Sequence, residues 1–284
     1  MKKIQFSVPV LTALLSMAIL SCEWGGPPFP YEWWNDIESG GEIFDDFRYK
    51  VEGGKVTIIR YEAQGGTVVI PTEIEGMSVK KIGIYAFRER DLVGVVIPDS
   101  VTSIGRGAFQ DNALTSLIIP RSITSIKEDV FAGNCLTSVV IPDSVTSIGG
   151  YAFAYNRLAS VVIPDSVTSI DGWYAFYHNY LTSITISKNI TSIPAETFCH
   201  NPTLPKVVIP NSVKKIEGGA FMGCPSLIEI TIGKNVSIDH LMLSQVRING
   251  NLKTSGFITT YKKNGRQAGV YTRPDTTSNV WTKQ

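Results

Sequence analysis

Residues 141–162 read IPDSVTSIGGYAFAYNRLASVV, and the residues on either side largely repeat that phrase. Ile recurs at the end of a strand-like run at Ile70, Ile97, Ile119, Ile141, Ile163, Ile186, Ile209 and Ile232, with gaps of 27, 22, 22, 22, 23, 23 and 23 residues. A second column, Phe87, Phe109, Phe131, Phe153, Phe176, Phe198 and Phe221, keeps the same step. A fixed period of this length means that one supersecondary unit is copied and stacked, so the fold class is a mainly β solenoid of 22–23-residue coils. Each coil contacts only its neighbours, and the array behaves as one domain despite the length of 284 residues.

Within the coil that starts at Leu136, the apolar positions are Leu136, Val139, Ile141, Val145, Ile148, Ala152 and Phe153. Val139 and Ile141 are two apart and share a strand face, which turns Ser138 and Val140 outward. Pro142 lacks an N–H and ends the strand. Gly149 and Gly150 are expected to relax the backbone before Ala152 and Phe153, so that the Phe enters between coils. Asn112, Asn134, Asn156, Asn179 and Asn201 follow the Phe column by three residues, with Arg90 and Cys224 in their place at the two ends. Stacked Asn side chains satisfy turn backbone groups that the solenoid buries, which is a structural role.

Lys and Arg number 26 against 25 Asp and Glu, so overall charge does not favour nucleic acid or an anionic membrane. The charge is uneven, with seven acids and no base from Glu23 to Asp46, and eight bases against two acids from Lys234 to Gln284.

The chain opens with Lys2 and Lys3 and an apolar run from Ile4 to Leu20, followed by Ser21 and Cys22, so residues 1–21 read as an export signal. Residues 22–41, rich in Pro, Gly and Trp and without periodicity, read as a tether. Residues 42–75 hold two alternating runs around Glu52-Gly53-Gly54 and read as a β-hairpin cap. The coils occupy residues 76–233. In residues 234–284, Phe257–Tyr261 and Ala268–Tyr271 around Asn264-Gly265 read as a second hairpin cap. Atypical terminal units are needed because a bare solenoid end exposes its apolar cross-section and an unpaired strand edge.

The phrase Leu136-Thr-Ser-Val-Val-Ile-Pro-Asp-Ser-Val-Thr-Ser-Ile-Gly149, closed by Ala152, Phe153 and Asn156, resembles the BspA-like, treponemal-type leucine-rich repeat over about residues 76–232. The step from Ser21 to Cys22 resembles the bacterial lipoprotein signal. These resemblances imply a leucine-rich-repeat solenoid without enzymatic activity or cofactor, exported and anchored to the membrane through a lipid on Cys22, at the outer membrane or cell surface. They also imply binding to a host matrix or plasma protein or a neighbouring cell. The alternatives are an assembly protein that contacts envelope components, or a carbohydrate-binding accessory.

Sites for chemistry are sparse. Cys199 and Cys224 lie on adjacent coils but two residues out of register, roughly 8 Å apart and beyond disulfide reach unless the turn bends. His178 and His200 share a column, yet no third metal ligand is evident. No nucleophile elbow or phosphate loop is found. The exceptions to the repeat are aromatic: Tyr151, Tyr155, Trp173, Tyr174, Tyr177, His178 and Tyr180 fall in two neighbouring coils. The outward strand column Val96, Ile118, Val140, Val162, Thr185, Val208 and Thr231 forms a largely apolar stripe. The candidate protein-binding residues are therefore Val96, Ile118, Val140 and Val162 on the stripe, and Tyr155, Tyr177 and His178 in the aromatic group. Because β-branched residues also suit strands for their own sake, the stripe alone does not prove a surface.

Overall fold

The computed structural model describes residues 40–239 and 256–284, with the short strands Val246–Ile248 and Asn251–Lys253 between them. The leader, nearly all of the tether and Cys22 lie outside the described residues. Among the described residues no helix is long and apolar enough to cross a membrane.

Each coil is tied to its neighbours along three sides. On the first side, parallel pairing joins Thr67–Val69 to Gly94–Val96, Ser160–Val162 to Ser183–Thr185, and Lys206–Val208 to Glu229–Ile232. The second side is a ladder of Ser-Ile dipeptides, in which Ile148 pairs with Ile126 and Ile170, and Ile216 pairs with Ile193 and Ile238. On the third side the Phe turns stack, with Phe131 N–H donating to Ala152 O at 3.0 Å and Phe153 N–H to Ala175 O at 2.9 Å. Between the first two sides Pro142 O accepts from Val145 N–H at 3.0 Å, and Pro98, Pro120, Pro164 and Pro210 close the same turn. A Pro that cannot extend the strand thus begins a turn whose carbonyl is satisfied locally.

The core is built from columns. Phe87, Phe109, Phe131, Phe153, Phe176, Phe198 and Phe221 are almost fully buried, and successive rings stack at 5.0–5.8 Å. The Asn column lies beside them and performs the role its spacing implies. Asn134 Oδ1 accepts from Leu114 N–H at 3.1 Å, while its Nδ2 donates to Phe109 O, Phe131 O and Ala132 O at 3.0, 3.2 and 3.3 Å. Asn112, Asn156, Asn179 and Asn201 make equivalent contacts. At the last rung the Cys224 thiol donates to Phe198 O at 3.4 Å, the bond an Asn amide makes in the other coils.

Gly149 and Gly150 act differently from expectation. Neither has a positive φ; a Cβ on Gly149 would lie 2.5 Å from Glu128 N, and one on Gly150 would lie 3.0 Å from Trp173 O. These glycines permit close approach of successive coils rather than an unusual turn.

The N-terminal hairpin joins Phe47–Glu52 to Lys55–Tyr61 and then pairs in parallel with Met77–Ile82, the start of the Ser-Ile side. Its Tyr61 ring stacks on Phe87 at 5.3 Å and extends the aromatic column into the cap. The C-terminal cap has different members from those expected. Phe257–Tyr261, read as one strand of a hairpin, lies within a helix, Gly256–Lys263. Phe257, Ile258 and Tyr261 lie at helical spacing and are buried, Lys262 and Lys263 sit in the last turn, and Gly265 follows with a φ of 63°. The Tyr261 hydroxyl donates to Gly233 O at 2.8 Å and accepts from Val236 N–H at 3.0 Å. The antiparallel pair in this cap is Gly269–Thr272 with Thr282–Lys283, and Gly269–Thr272 also covers the edge of the last coil strand, Glu229–Ile232.

Candidate protein-contact surface

The outward strand column is exposed along the array. Val96, Ile118, Val140 and Val162 are 52, 83, 78 and 60% exposed, while the next residue inward in each coil, Ile97, Ile119, Ile141 or Ile163, is buried. The two-residue period of the strand produces this division, turning one of each Val-Ile or Ile-Ile pair into solvent. Val69 and Val208 extend the stripe at 64 and 57% exposure. Val69 was missed in the sequence because the 27-residue first gap hides its register; its place just before Ile70 is the signal that finds it.

The stripe is least regular at its centre. Ile118 and Val140 are joined by a single isolated parallel bridge, without the three-residue pairing seen in neighbouring coils. An open groove of about 640 Å³ runs there, lined by Leu117, Ile118, Pro120, Val140 and Pro142, with Asp99, Arg121 and Asp143 also in its lining. This apolar floor with charged neighbours has the composition of a contact patch.

The second candidate cluster also assembles. The Tyr155 ring lies 5.0 Å from Tyr177 and 5.4 Å from His178, and Tyr177 lies 5.4 Å from His200. Tyr151 stacks on Tyr174 at 4.7 Å, and Tyr174 meets Tyr177 edge to face at 5.1 Å. Trp173 and Tyr180 stand out at 60 and 50% exposure.

Backbone conformation explains the alignment. The positions two before and two after each Phe take positive φ, and Gly107, Gly133, Gly219 and Gly223 occupy some of these places. In the middle coils the same positions carry Tyr151, Tyr155, Tyr174, His178 and His200, with φ between 53 and 65°. Side chains in this left-handed conformation on consecutive coils stand side by side. Non-glycine residues there are unfavourable, yet they hold most of these positions along the array, Tyr85, Glu89, Asp111, Asp129 and Glu196 among them.

The phenols stay protonated. Burial raises the Tyr151 pKa to about 12, burial followed by Tyr177 raises Tyr155, and burial followed by a hydrogen bond to Glu196 raises Tyr174. Burial and then the neighbouring His200 lower the pKa of His178. The ridge is therefore aromatic and rich in protonated hydroxyls. Among the described residues no three His, Cys, Asp or Glu are placed to hold a metal. Cys199 and Cys224 are free, buried thiols, and burial pushes Cys224 up to about 12.

No curated protein matches the chain. Among solved structures, a leucine-rich repeat protein from Bacteroides ovatus is 24% identical with a TM-score of 0.61, and the match covers 72% of this chain but only 55% of that one. The T. pallidum leucine-rich repeat protein is 25% identical with a TM-score of 0.48, covering 72% of this chain and 86% of its own. The B. ovatus likeness carries the fold. The model of the BspA-type leucine-rich repeat region matches residues 68–173 and 172–263 in six copies, more than half of the sequence, and the chain belongs to that family.

Proposed function

We propose that this chain is an exported lipoprotein, anchored through Cys22, whose repeats bind a protein partner at the cell surface, as an adhesin for host matrix or plasma proteins or for neighbouring cells. The observation that carries this reading is the continuous exposed column of Val96, Ile118, Val140 and Val162. Covering one such side chain contributes roughly 1.5–3 kcal/mol, so a partner seated on a few of them gains enough to offset the cost of association. The aromatic ridge of Tyr155, Tyr177 and His178 offers a second contact of the kind found at energetic centres of interfaces.

Immobilised chain is to be incubated in parallel with plasma, with matrix extract and with envelope extract of the source cells. Saturable capture of a plasma or matrix protein, lost in Val140→Glu with Val162→Glu, is the expected result. Capture from the envelope extract alone, equally insensitive to those changes, would replace adhesion with a role in envelope assembly. Labelling with a radioactive fatty acid in the native chain and in Cys22→Ser tests the anchor, and equal labelling in both would remove it.

A further inference from the structure

A cleft of about 380 Å³ opens where the N-terminal cap meets the first coils, lined by Ile59, Arg60, Gln64, Tyr85, Arg88, Glu89 and Arg90. Three of these side chains are cationic and one is anionic. Two of the cations are already engaged. Arg88 pairs with Glu89 at 3.0 Å and Asp111 at 3.3 Å, and Arg60 pairs with Glu62 at 3.3 Å. Arg90 makes no ion pair among the described residues, and Glu62 and Glu89 act on it only from longer range.

One buried hydrogen-bond donor of this lining, Arg90 Nε–H, has no partner among the described residues. A buried donor left unmade is costly, and one at a cleft marks a place for an acceptor. The sequence points to the same residue. Arg90 stands where the next five coils carry Asn, and its backbone N–H is held by Asn112 Oδ1 at 3.1 Å. Cys224, the exception at the other end, restores the hydrogen bond of the column. Arg90 instead places a guanidinium in the cleft. Loss of solvent, followed by the charge of Arg60, lowers its pKa, which is the cost a bound anion would relieve.

We infer that this cleft binds a carboxylate group through the Arg90 guanidinium, with Arg60 beside it in the lining. One uncompensated guanidinium matches one negative charge, and its fork suits a planar carboxylate. The assignment is independent of the stripe and of the aromatic ridge.

The test is a titration of the chain with sodium acetate at constant ionic strength, followed by NMR. Gly65 N–H donates to Arg90 O at 2.7 Å, so its amide signal reports both the site and the integrity of the fold around it. The expected result is a saturable shift of Gly65 and of Arg90 Nε–H. Arg60→Gln should weaken binding about tenfold, and Arg90→Gln should abolish saturation at Gly65 while the remaining amide spectrum stays in place. A linear response of equal size in native chain and Arg90→Gln would overturn the site. Saturation by sulfate but not by acetate would overturn the carboxylate assignment.

Discussion

At the residue scale, the positive-φ columns separate backbone requirement from side-chain purpose. Tyr155 has a φ of 54°, where any Cβ is unfavourable by roughly 1–2 kcal/mol and glycine is not. Tyr155→Gly should therefore be more stable than Tyr155→Ala by about 1 kcal/mol in urea unfolding, although Gly removes more. The opposite order would mean that the turn does not impose this conformation in solution. Asp129 is buried with Oδ2 3.3 Å from Arg106 Nε, and burial followed by Glu128 raises its pKa to about 6. A carboxyl raised above its unfolded value adds stability that is complete below about pH 3.8 and is lost as pH rises through about 6. Asp129→Asn should stabilise the chain at pH 7 by roughly 2–3 kcal/mol, and the gain should shrink toward pH 4. A pH-independent difference between the two unfolding free energies would contradict the assignment.

Among elements, the Phe column and the caps carry the array. Phe153→Ala should cost roughly 3–5 kcal/mol, because the cavity lies between Phe131 and Phe176 and neither stacked coil is free to collapse into it. A loss below about 1 kcal/mol in calorimetry would show that the column is not packed as described. Tyr261→Phe leaves Gly233 O and Val236 N–H without the partner they share, and should cost roughly 1–3 kcal/mol. An unchanged Tm would mean that the helix does not seal the last coil. These elements also show where sequence reading succeeds and where it stops. The strand column, the Phe stack and the Asn ladder were legible because each is repeated, and a side chain copied at fixed spacing on parallel coils must meet its own copies. The helix at Gly256–Lys263 occurs once. Phe257 and Tyr261 share a face at either strand or helix spacing, and the contact of Tyr261 with Gly233 and Val236 that selects the helix is long-range. The candidate residues were legible in the same unequal way. Alternation placed Val140 outside and Ile141 inside, whereas the positive φ that aligns Tyr155 and His178 has no mark in the sequence except Gly at equivalent places in other coils.

For the whole molecule, stacking turns single side chains into surfaces. One exposed valine is ordinary, but its repetition on successive coils yields an apolar column with a groove at Ile118 and Val140. The interior columns fix the spacing, so changes in the stripe should alter binding without altering the fold. The most direct test is the affinity of the chain for the plasma or matrix protein it captures, measured for the native sequence and for Val140→Glu with Val162→Glu. The account predicts at least a tenfold loss of affinity with Tm unchanged, because both charges would be buried without partners in the complex and left in water in the free chain. Equal affinity in the two proteins, with the fold intact, would contradict it.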